Sequence, residues 1–201
     1  MADYELLEYL LFAANARRDT KPQAKALLLR FGSLMGVLNA DADALQQVED
    51  VGETSAAALK AVALAANRMM QREAARGPVL SSSTALIQYL SMNMGDLKHE
   101  RVRALFLDAR NRLILDHLVS EGTIDEAAIH PREIIRKAFD VGAAALILAH
   151  NHPSGNCEPS KADIEITRRI AEAGRLLGVM VHDHIIIGSG EFISLRAKGL
   201  L

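Results

Sequence analysis

Along the first seventy residues, apolar side chains recur at Leu6, Leu7, Leu10 and Leu11, then at Leu27, Leu28, Phe31 and Leu34, then at Leu59, Val62 and Leu64. Steps of three and four residues place each set along one side of a helix, and the alternation of a half-buried strand is missing. Residues 3–70 are therefore expected to form short helices. Lys21-Pro22 restarts the second helix, because proline fits a first turn, where an N–H has no partner to lose. Between Val48 and Thr54 the pattern breaks at a tight hairpin between two helices, and Gly52 is the residue expected to take a positive φ there.

Composition shifts between Gln71 and Ser83, where Gly77-Pro78 and a run of serines separate two patterned regions. This places a domain boundary near residue 78, with a small all-α domain over 1–78 and a second domain over 79–201. From Ser83 onward the pattern is mixed. Thr84 to Met92 reads as a helix capped by the serines before it. Arg101–Leu107 and Leu113–Val119 read as strands joined by a hairpin, and Pro131–Phe139 as a helix with proline at its start. Ala143–Ala149 is fully apolar, the mark of a central strand buried on both faces. Ser160–Leu177 is a long amphipathic helix ending at Gly178. It is followed by strands over Val179–Ile187 and Phe192–Leu195. The fold class is α+β.

Half of the 201 residues are hydrophobic and 24% are charged, enough apolar material for a core without disulfide staples. Cys157 is the single cysteine, which fits a reducing compartment. The amino terminus is acidic and lacks the layout of a signal peptide, and Ala143–Ala149 is far too short to span a bilayer. A soluble, cytoplasmic protein with no membrane partner is expected. Net charge is −2, with 9 basic and 10 acidic residues over 1–78 and 14 and 15 over the remainder. Neither part has the basic excess of a strong phosphate-binding surface.

The apolar run leads into His150-Asn-His152, a turn rich in proline and glycine, and then Ser160-x-x-Asp163 at the start of a helix. Two histidines at i and i+2 in extended chain point to one side. Imidazole is a preferred zinc ligand, and zinc needs such convergence. Ser160 and Asp163 have the spacing of a capping box, the bland reading of that pair. The sharper reading is that Asp163 reaches back from the first helical turn to complete a His₂Asp site. Three protein ligands leave a position for water, the arrangement of catalytic rather than structural zinc. Random placement would give the whole pattern in roughly one such chain in a thousand, which makes accident a poor explanation. Such a site needs a base, and Glu100, Glu121 and Glu158 are candidates. His182 and His184 on a strand form a weaker second pair.

These residues resemble the RadC family of bacterial proteins, within the JAMM (MPN+) metalloprotease-like group. The resemblance rests on His150-Asn-His-Pro-Ser-Gly155 with Ser160 and Asp163 following. It extends through Phe106–Leu113, Gly122-Thr123, His130–Glu133 and Asp183–Gly188, and so covers nearly all of residues 83–201. It implies a JAMM-type mixed β-sheet flanked by helices, with Zn²⁺ held by His150, His152 and Asp163. Glu100 would be the general base and Ser160 would help to stabilise an oxyanion. Cys157 lies where the pattern is permissive and reads as incidental. Asp183-His184 fits the pattern and would orient a ligand by hydrogen bond. Residues 1–78 resemble the family's helix-hairpin-helix-like region, except that Asp50 stands where the first hairpin glycine is usual. An acid at that place opposes approach to a phosphate.

Two main functions compete on this basis, a third, a metal-stabilised structural domain, being opposed by the missing fourth protein ligand. One is a zinc-dependent hydrolase acting on a peptide or isopeptide bond of an unidentified protein substrate. The other is a DNA-repair or replication-associated protein that binds nucleic acid and hydrolyses little. The complete set of Glu100, His150, His152 and Asp163 favours the first. Asp50 and the neutral charge balance weigh against the second.

Overall fold

The structure, a computed structural model, describes residues 1–15, 19–74, 83–122 and 129–201. It divides into two compact units, Met1–Met69 and Met70–Leu201. The boundary expected near residue 78 lies outside the described residues, as do Ser81, Ser82 and Thr123.

The first unit is helical: α1 (Asp3–Ala14), α2 (Lys21–Phe31), α3 (Leu34–Asn39), α4 (Ala42–Gln46) and the start of α5 (Glu53–Ala74). Leu7, Leu11, Leu27 and Leu59 lie in its core, as their helical spacing predicts, and Leu45 joins them there. Leu64 breaks the pattern and is exposed. Pro22 sits in the first turn of α2. The hairpin between α4 and α5 departs from expectation. The left-handed residue is Asp50, at φ 60°, and Gly52 keeps an ordinary φ while its carbonyl accepts the Ala56 N–H. Aspartate is among the few side chains that tolerate this region.

The second unit holds α6 (Ser83–Met94), β1 (Glu100–Leu107), β2 (Leu113–Gly122), α7 (Pro131–Asp140), β3 (Ala145–Asn151), α8 (Lys161–Leu176), β4 (Met180–Ile187) and β5 (Phe192–Ser194). The sheet order is β2-β1-β3-β4-β5, so the apolar run does become the central strand, and every residue of β3 is buried. β1 runs antiparallel to β2 and β3, while β3 and β4 are parallel and joined through α8. Because side chains alternate along a strand, the sheet has two apolar faces. Leu105, Leu107, Ile147, Ala149, Ile185 and Ile187 lie under α6. Ala104, Phe106, Leu146 and Leu148 lie under α7 and α8. Among the described residues no helix is long and apolar enough to cross a membrane.

Candidate metal centre

Strand parity and one helix bring the candidate ligands together. In the antiparallel pair of β1 and β3, Val102 stands opposite His150, Ala104 opposite Leu148 and Phe106 opposite Leu146. Paired residues point to the same face, so His150 continues the face covered by α7 and α8. Alternation puts Glu100, two residues before Val102, on that face as well. His152 lies one step past β3 and stays extended because its N–H donates to the Ile187 carbonyl, 3.0 Å away. The chain then turns at Gly155, φ 82°. The turn closes tightly over Gly188, where a Cβ would come within 2.4 Å of the Gly155 carbonyl oxygen. α8 packs its apolar side, including Ile166 and Ile170, on the same face of the sheet. Its first turn thereby brings Asp163 over the end of β3.

The result is a convergent set. His150 Nε2 and His152 Nε2 are 2.9 Å apart. Asp163 Oδ1 lies 3.4 Å from the former and Asp163 Oδ2 lies 3.6 Å from the latter. These three residues could hold a metal ion. Asp163 also closes the capping box: Oδ2 accepts the Ser160 N–H at 2.7 Å, and the Asp163 N–H donates to Ser160 Oγ at 3.1 Å. The Ser160–Asp163 spacing therefore does form a cap, and the same carboxylate lies beside the two histidines, where it could serve as a ligand. The cap fixes the rotamer that aims the carboxylate at the histidines.

The hydrogen bonds behind the site determine which ring nitrogens face it. Thr167 Oγ1 donates its one proton to the Asp163 carbonyl, 2.5 Å away. The same oxygen must then accept from His184 Nδ1, also at 2.5 Å. A neutral His184 consequently has a bare Nε2, which accepts from His150 Nδ1 at 2.8 Å. His150 is left with a lone pair on Nε2. His152 is oriented separately, by Nδ1 donating to the Asn156 carbonyl at 2.7 Å. Two ring nitrogens 2.9 Å apart that both aim inward call for a cation or a proton between them.

Electrostatics agree. Burial pushes His150 down to about 4 and His184 down to about 3, so both are neutral near pH 7. His152 is raised, chiefly by its contact with the Asp163 carboxylate. Burial works against ionisation of Asp163, yet His152, His150 and Ser160 together hold its carboxyl well below the usual carboxylate range. Burial raises Glu100, with Asp163 adding to the effect and His152 opposing it.

A groove of about 690 Å³ opens onto the cluster, lined by Glu100, His152, Ser160, Asp163, Ile166 and Arg169 among others. Of the three candidate carboxylates, only Glu100 lines it. Glu121 is tied to Arg101 and His99, and Glu158 to Lys198 at 2.6 Å. Ser160 accepts from Asp163 and still has its hydroxyl proton to donate. Cys157 is buried against Ile186 and Leu195, a packing role. His182 does not pair with His184 and instead meets Asn111 Oδ1 at 2.7 Å. Thr167 escapes sequence reading, since a threonine one turn beyond a capping residue carries no signal of its own.

A family profile described as the RadC-like JAB domain matches residues 80–200. The chain is also 46% identical, over all 201 of its residues and 94% of the relative's length, to a protein of Rhodobacter capsulatus described as "UPF0758 protein".

Proposed function

Since this chain belongs to the RadC-like JAB domain family, we propose that it is a zinc-dependent hydrolase that cleaves a peptide or isopeptide bond. The observation that carries the reading is the convergence of His150, His152 and Asp163 at the edge of a groove that Glu100 also lines. Zinc bonds of about 2.0–2.2 Å at tetrahedral angles set neighbouring donor atoms about 3.3 Å apart. The two imidazole nitrogens lie 2.9 Å apart, each has a different Asp163 oxygen at 3.4 or 3.6 Å, and one donor atom from each residue can be chosen with all three within 4.8 Å of one another, so a small movement of the carboxylate would complete the set. Two imidazoles and one carboxylate are a donor set of the catalytic kind, with a further position for a reactant. When bound, zinc would acidify water and polarise a carbonyl.

The chain's own residues supply the rest. Glu100 is the only one of the candidate carboxylates free to face the groove. Its raised pKa brings it nearer to neutrality, which suits a group that takes a proton from water and returns it to a leaving amine. Ser160 donates its hydroxyl proton toward an oxygen that gains charge, a contribution of the oxyanion-hole kind. The decisive experiment incubates the zinc-loaded full chain and its Glu100→Gln variant with a panel of peptides and side-chain-linked isopeptides. Cleavage by the wild type, stopped by a chelator and lost in a variant that still holds zinc, is expected. Equal cleavage by Glu100→Gln would overturn the assignment.

A further inference from the structure

A residue placed between two ligands on a strand must point away from the metal, because neighbours alternate. Asn151 occupies that place between His150 and His152, and its side chain is buried. It reaches across to β1. Asn151 Oδ1 accepts the Arg101 N–H at 2.8 Å, and Nδ2 donates to the His99 carbonyl at 3.0 Å. The two peptide groups it grips are those on either side of Glu100.

This grip stands where backbone pairing stops. The β1–β3 ladder ends at Val102 opposite His150. The next inward step of β3 is committed elsewhere, since the His152 N–H goes to β4 at Ile187. A primary amide has one acceptor and one donor side by side, as a peptide edge does, so the Asn151 side chain continues the ladder for one further step. The side chains of His99 and Arg101 both engage Glu121. The backbone on both sides of Glu100 is thus fixed from β3, while its two neighbours are fixed from β2.

We propose that Asn151 is a positioning residue that registers Glu100 against the two histidines, by hydrogen-bonding both peptide groups flanking Glu100 from the residue between those histidines. This rests on the reading of Glu100 as the base. The histidines do not depend on Asn151 for their own orientation, which comes from His184 and from the Asn156 carbonyl. Loss of the amide therefore separates base placement from metal binding.

The test uses the full chain with Asn151→Asp, which keeps the shape and the acceptor but loses the donor, and Asn151→Ala, which loses both. Zinc content per folded chain and crystal structures of the zinc-loaded proteins are measured first. The expected result is wild-type zinc content, unchanged ligand positions and a Glu100 backbone displaced by roughly 1 Å, a misplacement that can cost about a hundredfold in rate. Turnover should then fall in kcat with KM little changed, and Asn151→Asp combined with Glu100→Gln should be no slower than Glu100→Gln alone. Should Asn151→Ala fail to fold, Asn151→Asp carries the comparison. Glu100 left in place in Asn151→Asp, or losses that multiply in the double variant, would overturn the proposal. If the wild type cleaves nothing, the hydrolase reading fails, and the Glu100 displacement still decides whether Asn151 positions it.

Discussion

His184 Nε2 accepts a hydrogen bond from His150 Nδ1 across 2.8 Å, at a depth where both rings are almost wholly shielded from solvent. That contact decides which nitrogen His150 offers to a metal. His184→Leu removes the acceptor and frees His150 to adopt the other tautomer. Zinc affinity should then fall by about 10–100-fold, the usual cost of removing a partner that orients a ligand. Competition with a chromophoric chelator measures this, and unchanged affinity would contradict the relay. Thr167→Val should show a smaller loss, because it acts one bond further away.

Zinc uptake should release one proton. His152 has a raised pKa and must lose its Nε2 proton to become a ligand. His150 titrates near 4, and Asp163 stays ionised well below that. Apparent affinity should therefore rise tenfold per pH unit from about pH 4 up to the pKa of His152, then level off. The slope of log Kd against pH reads the proton number directly. A flat profile below pH 6.5, or a slope of two at pH 6, would be inconsistent with these assignments.

Asp163 serves as both cap and ligand, and two substitutions separate the roles. Asp163→Asn keeps an oxygen for the Ser160 N–H but loses the charge, whereas Asp163→Ala loses both. Both should lose most zinc. In chelator-treated protein, Asp163→Ala should be less stable than Asp163→Asn by roughly 0.5–1 kcal/mol, the worth of an N-terminal helix cap. Denaturant titration measures the difference. Wild-type zinc affinity in Asp163→Asn would remove the carboxylate from the ligand set.

The site was legible in the sequence where chemistry and secondary-structure period coincide. His150 and His152 stand at the end of a strand too apolar to be anything but central, and Asp163 sits at a capping position, so three residues at fixed spacing report both the fold and a candidate donor set. From the residues alone the base could be narrowed only to Glu100, Glu121 and Glu158, with the resemblance selecting Glu100, because nothing local says that β1 lies beside β3 in the register that puts Val102 opposite His150. His184 was reached only through the family resemblance, and Thr167 and Asn151 act through contacts 17 to 52 residues away in sequence, which depend on tertiary packing. In the hairpin, the left-handed conformation went to Asp50 rather than Gly52. The turn geometry selected the position, and aspartate could tolerate it.

Duplex DNA should bind this chain only weakly. Residues 1–78 carry 9 basic and 10 acidic residues, and Asp50 holds the left-handed position of the hairpin between α4 and α5. An acidic side chain there repels the phosphate that a hairpin amide would otherwise meet. Fluorescence anisotropy with the full chain at low salt is expected to give no binding below the micromolar range. Submicromolar binding with a steep salt dependence would show that phosphate contacts exist.

Zinc K-edge X-ray absorption, combined with metal analysis of the purified chain, tests the central claim most directly. One zinc per chain is predicted, in a four-coordinate shell of two imidazole nitrogens and two oxygens at about 2.0–2.2 Å. His152→Ala should lose nearly all of it. Full zinc content in His152→Ala, or a shell containing sulfur from Cys157, would contradict the assignment of His150, His152 and Asp163 as the metal centre.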